Sequence, residues 1–206
     1  MGIFDLFKSV KSSIQVMDDV IWMTPEAKAA GIKAAIQQSF AERDGPVAIL
    51  LVAHFEDCFH ELRRLTETQA GGNRIIMAVT VASLKAASSP VTAFNESHFI
   101  ELIVGERHPL ASQDEDIIEF ARRLPCRCRV VHHLSLKDPL MQVFCGDWIE
   151  SVLKRLGMKD DEAIESRMVS RRIRNSQKKI GQRSIGDEPA ESAEQWLEHN
   201  CPNFSL

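Results

Sequence analysis

The chain has 206 residues, 44% hydrophobic and 26% charged, with a formal net charge of −4. This balance is typical of a globular protein with room for one core and appendages, and it excludes a disordered chain. The negative charge argues against nucleic acid or an anionic membrane as the main partner. Five cysteines without a signal peptide favour a cytoplasmic protein with reduced thiols, and no apolar run approaches the roughly 20 residues of a membrane span.

An amphipathic segment is predicted over residues 1–17. Its apolar residues recur at helical spacing on one face, at Ile3, Phe7, Val10 and Ile14. The favoured interpretation is a helix that packs on its own domain. A peripheral anchor on a membrane or in a partner's groove stays open as a second interpretation. Because the segment carries only two lysines, electrostatic attraction to a membrane would be weak.

Alternating helices and strands are predicted next. Thr24 and Pro25 have the residue types of an N-cap and a first helical position. An almost unbroken apolar run at 46–53 is typical of a central parallel strand that is covered on both faces. The predicted elements are a helix over 24–43, strands over 46–53 and 74–81, a helix over 56–66, and a loop or short helix over 85–95.

A strand–helix–strand unit follows over residues 99–134. Residues 99–104 form a short apolar run that stops at Gly105, residues 114–124 place their apolar side chains close to one helical face, and 129–134 form a second strand. A unit of this length predicts a parallel crossover, so the predicted fold class is α/β. Any site should then lie at the carboxyl ends of the strands, in the loop Gly105 to His108.

Glu106, Arg107 and His108 are the candidate site residues of this loop. We expect Glu106 and Arg107 to form a structural ion pair, and Arg107 marks the best place for a small anionic ligand. No metal site is predicted, because His132 and His133 would point to opposite faces of a strand and could not converge with Cys126 and Cys128. Buried free thiols are the favoured interpretation of these cysteines.

Residues 148–206 are predicted to form a helical extension. Helices are expected over 148–156, 168–180 and 190–200, with a linker at 185–189. The charge of this part is uneven, since residues 167–183 are strongly basic and residues 187–198 are acidic. The predicted division of the chain is therefore 1–17, an α/β domain over 18–147, and the extension.

Several blocks of the chain resemble the preprotein translocase ATPase SecA. Glu106-Arg107-His108 matches the family's ERH, and Leu134 to Met141 matches the block that follows it. Residues 155–179 resemble the family's RLGM…EPIESKMV…QKK segment, and residues 19–28 resemble its DxIYxTExAK segment. The blocks occur in the same order over about residues 18–180. The resemblance is to the second nucleotide-binding domain and the start of the helical scaffold, and it implies a three-layer RecA-like sheet.

The ATPase parts implied by this family are absent or altered. The chain has no GxxxxGK[ST] phosphate loop. The positions of the family's two arginines are taken by Phe120 and Arg123, so Arg123 is the only candidate for an arginine supplied in trans to another subunit. We therefore expect no hydrolysis by this chain alone and no required cofactor.

The sequence favours a non-catalytic SecA-like protein that binds a protein partner, either a translocase component or a second copy of itself. Two alternatives stay open. One is a degenerate sensor that binds ATP or ADP at residues 105–123, and the other is a helicase-like nucleic-acid module that uses the basic residues 167–183.

Overall fold

The computed structural model describes residues 13–43, 45–66, 74–86, 94–146 and 148–202. Its elements, in chain order, are β1 (Ile14–Val16), β2 (Val20–Trp22), α1 (Pro25–Ala41), β3 (Val47–Ala53), α2 (Glu56–Thr66), β4 (Arg74–Thr80), α3 (Val81–Lys85), β5 (Phe99–Val104), α4 (Ala111–Arg123), β6 (Arg127–Ser135), α5 (Pro139–Cys145), α6 (Trp148–Arg155), β7 (Ala163–Glu165), α7 (Arg167–Arg183) and α8 (Ala193–Asn200).

The strands form one mostly parallel sheet. Among the described residues its order is β4-β3-β5-β6-β2-β7, and β1 also pairs with β6. The predicted parallel pairing of β5 with β6 is confirmed, with Leu102 opposite Val130. The short strand β7 is antiparallel to β2. The fold is therefore α/β with a three-layer RecA-like arrangement, as predicted.

Burial on both faces explains the composition of the central strands. Every residue of β3 is buried. On one face, Leu50, Leu102 and Val130 pack in the cluster that receives α3 and α4. On the other face, Ile49 and Ile103 pack in the cluster that receives α1 and α2. A strand with apolar neighbours on both sides of the sheet needs an unbroken apolar sequence, which the Val47–Ala53 run supplies.

Helix α1 begins as its sequence predicts and is held close to the sheet by a glycine. The side chain of Thr24 accepts a hydrogen bond from the backbone N–H of Ala27 at 3.1 Å, and Pro25 occupies the first helical position. A Cβ at Gly31 would lie 1.9 Å from the Trp22 ring. Glycine is therefore required where α1 crosses β2, and Trp22 also donates from its ring N–H to His133 at 3.1 Å.

The C-terminal extension packs onto the carboxyl end of the sheet and is not wholly helical. Strand β7 lies within it and pairs with β2. Ile173 and Ile180 of α7 and Trp196 of α8 share a core cluster with Ile21 and Leu134 of the sheet. The helix predicted over 148–156 is present as α6, but its apolar ends are solvent-exposed: Trp148 is 63% and Leu156 is 79% exposed.

Candidate functional site

The loop after β5 carries a buried guanidinium. Arg107 is only 5% exposed. Its Nε donates to Asp19 Oδ1 at 3.0 Å, its Nη2 donates to the same oxygen, and its Nη1 donates to Asp114 Oδ2 at 2.8 Å. Burial would lower the pKa of Arg107, but the two carboxylates outweigh it and raise that pKa. The guanidinium therefore links the residue before β2 to α4 as a fixed cation.

Asp114 is the centre of this network. Besides Arg107, it accepts hydrogen bonds from Gln177 Nε2 at 2.6 Å and from the backbone N–H of His108 at 3.2 Å. The Nε2 atom of His54 lies 2.8 Å from Oδ1 of Asp114. Burial alone would raise the pKa of Asp114, but Arg107 and His54 hold it far below its usual range. The carboxylate is thus permanently charged and fully engaged by the chain's own donors.

Helix α7 is attached to the sheet through the same network. Gln177 donates to the backbone oxygen of His108 at 2.7 Å as well as to Asp114. At the other end of the helix, the hydroxyl of Ser170 accepts from the backbone N–H of Asp19 at 2.8 Å. Two buried polar side chains of the extension therefore fix α7 against the carboxyl edge of the sheet.

Buried histidines line this network in their neutral form. Burial lowers the pKa of His108 to about 4, and His54 lowers it further. Burial and the Arg107 charge lower the pKa of His132 to about 3. The His132 ring nitrogens lie 3.8 Å from Asp19 Oδ1 and 4.0 Å from Asp114 Oδ1, beyond hydrogen-bond distance.

Glu106 does not contact Arg107 and instead binds the backbone just before α2. Its Oε1 accepts from the backbone N–H groups of His54 and Phe55, each at 3.0 Å, just before α2 begins. Burial raises the pKa of Glu106 to about 8, although the hydrogen bond from Phe55 opposes this shift. The predicted ion pair between Glu106 and Arg107 is therefore wrong, because each side chain has nearer partners on other elements.

A small cavity lies beside Glu106 at the carboxyl edge. Lys28 of α1 donates across it to Asp138 Oδ1 at 2.9 Å and to the backbone oxygen of Gly105 at 3.2 Å. Burial would lower the pKa of Lys28, but Asp138 outweighs this effect and raises it. The cavity measures about 220 Å³. Its acidic and basic lining residues are Lys28, Asp57, Glu61, Glu106, Arg107, Lys137 and Asp138.

This cavity is poorly suited to a polyphosphate. Its volume is below the roughly 300–1,000 Å³ of typical ligand pockets. Four of its lining side chains are carboxylic acids, and its two buried cations, Lys28 and Arg107, are paired with Asp138 and with Asp19 and Asp114. A phosphate group would have to displace one of these carboxylates to gain a buried cation.

The structure separates Arg123 from the other predicted site residues. Glu106, Arg107 and His108 lie together at the carboxyl edge, whereas Arg123 ends α4 just before β6 starts, at the opposite edge of the sheet. Its side chain is 76% exposed and contacts Glu119 at 3.3 Å. Arg123 and the loop therefore do not form one ligand site within this chain.

The other predicted residues have varied outcomes. Ile14 lies in strand β1, paired with Cys128, so it does not continue a helix. Ile3, Phe7 and Val10 fall outside the described residues. All five cysteines are free, and Cys126 and Cys128 are buried, as predicted. In the part of the chain that the structure describes, no cluster of His, Cys, Asp or Glu could hold a metal ion.

Sequence reasoning missed the residues that form the network around Arg107 and Asp114. His54 directly follows β3 and Asp114 lies in the first turn of α4, so the rule that polar groups gather at the carboxyl ends of strands could have indicated both. Asp19 and Gln177 lie 88 residues before and 70 residues after Arg107, and no local pattern links them to it.

The fold and this edge define the chain as an α/β protein of the three-layer RecA-like class, and comparison with known proteins specifies the relationship. No family model matches the chain. It is 53% identical to protein translocase subunit SecA 1 of Rhodopirellula baltica over 52 residues, which are 25% of this chain and 4% of that protein. It is 38% identical to SecA of Acinetobacter baumannii over 86 residues, 42% of this chain and 10% of that protein.

A third relative gives the same result. SecA of Xanthomonas campestris pv. campestris is 36% identical over 81 residues, 39% of this chain and 9% of that protein. Part of this chain is therefore related to the SecA family, and the matched segments span at most a tenth of these relatives. None of the helices that the structure describes combines the length and apolar character needed to cross a bilayer.

Proposed function

We propose that this chain is a non-catalytic, cytoplasmic SecA-like module that acts in protein translocation by binding a protein partner. The relatives are protein translocase subunits, and this chain shares with them part of its sequence. What carries the non-catalytic half of the proposal is the state of Arg107. This residue of the ERH block lies where RecA-like sheets bind ligands, yet two buried carboxylates of the same chain already occupy its guanidinium.

Nucleotide hydrolysis would need groups that this chain does not offer at that edge. A phosphoryl-transfer site requires a phosphate cradle, a bound metal ion and an available arginine. The sequence lacks the phosphate loop. The adjoining cavity is small and lined by four carboxylic acids. These features favour a chain that has the fold of a motor domain and binds a protein partner without hydrolysing nucleotide.

The buried network also supports a rigid module. Arg107, Asp114 and Gln177 connect the sheet, α4 and α7 through buried hydrogen bonds. Because these bonds span the α/β domain and the extension, they hold the two parts in one arrangement. A partner could then recognise a surface that both parts contribute.

The proposal is tested by affinity capture from native lysate of the source cell. The full chain is immobilised, and retained proteins are quantified against a bait of similar size and charge. We expect enrichment of a translocase component, either the full-length motor or a protein that contacts it. Recovery of no translocase component, at protein levels where the motor is detected in the lysate, would overturn the proposed link to translocation.

A further inference from the structure

A basic groove runs along the outer side of α7, next to α4. Its volume is about 800 Å³. We call it the α4–α7 groove and define it by its lining residues: Ala111, Glu115, Arg167, Met168, Arg171, Arg174, Asn175 and Lys178. Four of these eight residues are cations, and one is an acid. The groove therefore has a strong positive charge on a chain whose net charge is −4.

The cations form a regular row. Arg167, Arg171, Arg174 and Lys178 are spaced at i, i+4, i+7 and i+11, which places them on one face of the helix. At 1.5 Å per residue the row is about 16 Å long. All four side chains are exposed. None of them forms an ion pair with another described residue, whereas Lys85 of α3 and Arg123 of α4 pair with Asp116 and Glu119.

The fold does not depend on these charges. Helix α7 is held by its inner face, where Ser170, Ile173, Gln177 and Ile180 are buried. The row lies beside that contact, about 110° around the helix from it at 3.6 residues per turn. Like charges at i, i+4 repel each other by a few tenths of a kcal/mol. A row of repelling cations with no acidic partner among the described residues is available to an acidic partner from another molecule.

We propose that the α4–α7 groove binds an acidic helical segment of a partner protein. Charge complementarity selects an anion, because four unpaired cations face one carboxylate. Met168, which is 67% exposed, adds an apolar contact that suits a side chain of a peptide. Among the described residues that line the groove there is no aromatic side chain on which a nucleobase could stack, which favours protein over single-stranded nucleic acid.

The partner's chemistry follows from the row. An acidic helix with carboxylates at the same i, i+4, i+7, i+11 spacing would match the four cations along their length. An apolar residue between those carboxylates would contact Met168. This inference does not rest on the link to translocation, because it concerns the groove alone.

The test uses a synthetic helical peptide of about 16 residues with glutamates at that spacing, and a control peptide with glutamines in their place. Binding to the full chain is measured by fluorescence anisotropy at low and physiological salt. The key variant is Arg171→Glu with Lys178→Glu. Its matched control is Arg172→Glu with Lys179→Glu, which makes the same charge change on the same helix outside the groove.

We expect the glutamate peptide to bind more tightly than the glutamine peptide, with a Kd that rises at least about tenfold in Arg171→Glu/Lys178→Glu and less than about threefold in the control pair. Thermal melts check that both variants stay folded. Equal losses in the two pairs, or no binding of the glutamate peptide, would overturn the proposal. So would tighter binding of a single-stranded RNA oligonucleotide or of phosphatidylglycerol vesicles than of the peptide, with the same dependence on Arg171 and Lys178.

Discussion

Two regions of this molecule use arginine in opposite ways. At the carboxyl edge of the sheet, Arg107 is buried and bound to Asp19 and Asp114. On the outer side of α7, Arg171 and Arg174 are exposed, with no described acidic partner. A buried charge is stable only when it is paired, and in the first region, which we call the closed edge, the chain's own carboxylates already pair with Arg107. In the second region, on α7, the cations are exposed and available to another molecule. The family resemblance points to the first region, whereas the available charge lies in the second.

The largest expected effect comes from removing the charge at the closed edge. Arg107→Met leaves Asp19 and Asp114 buried without their cation, and we expect a loss of about 3–5 kcal/mol in the free energy of unfolding. Urea denaturation followed by circular dichroism measures it. Arg123→Met, at a side chain that is 76% exposed, is the control and should change stability by less than about 0.5 kcal/mol. Similar values for the two variants would contradict a buried structural role for Arg107.

A smaller effect is expected where the network reaches α7. Gln177→Leu removes the donor to Asp114 and to the His108 carbonyl, which should cost about 1–3 kcal/mol. Hydrogen exchange should accelerate in α7 more than in β3 and β5. Gln182→Leu, at an exposed position of the same helix, is the matched control. Unchanged exchange in α7 of the Gln177 variant would show that this contact does not attach the extension to the sheet.

The closed edge also predicts how stability depends on pH. His108, His132 and His133 have pKa values lowered to about 4, 3 and 4, His133 mainly by burial. The unfolded chain takes up these protons near pH 6.5. Stability present above that pH is therefore lost as the pH falls towards 4. Glu106 acts with the opposite sign, because its folded pKa is about 8 and its stability contribution is lost as the pH rises towards that value.

Unfolding free energies measured from pH 4 to pH 9 should therefore pass through a maximum near neutrality. Glu106→Gln keeps an oxygen that can accept from the backbone N–H groups of His54 and Phe55 but cannot release a proton. We expect it to remove the decline between about pH 6.5 and pH 8 and to steepen the rise below about pH 6.5, where Glu106 of the wild type opposes the effect of the histidines. Exposed Glu115→Gln serves as the control. An identical alkaline decline in wild type and Glu106→Gln would contradict the protonated state of Glu106.

The sequence predicts the main helices and strands better than the tertiary contacts between them. The long helices and the central strands follow from apolar period and caps, as at Thr24 and in the apolar run of β3. Strands β1, β2 and β7 were missed because three residues are too few to show a period of two. The requirement for Gly31 was also hidden, because it comes from the ring of Trp22 on another element.

Sheet topology correctly located the candidate site, but the predicted ion pair between Glu106 and Arg107 was wrong. Glu106, Arg107 and His108 lie at the carboxyl edge, as a parallel sheet requires. Their partners come from the residues just before β2 and α2 and from α4 and α7. Adjacent opposite charges in a sequence do not reveal which distant side chains bind them. Glu106 and Arg107 face different elements because the loop turns between them: one carboxyl reaches the start of α2 while the neighbouring guanidinium reaches Asp19.

The most direct test of the closed carboxyl edge is calorimetric titration of the full chain with magnesium ATP and with magnesium ADP at millimolar concentration. We predict no heat of binding for either nucleotide, because the cations at that edge are already paired and the adjoining cavity is small and acidic. Saturable binding of either nucleotide to the wild-type chain would contradict the proposed non-catalytic, protein-binding role. If Arg107→Met abolishes that binding while circular dichroism shows it to be folded, and Arg123→Met preserves the binding, Arg107 remains available to a nucleotide.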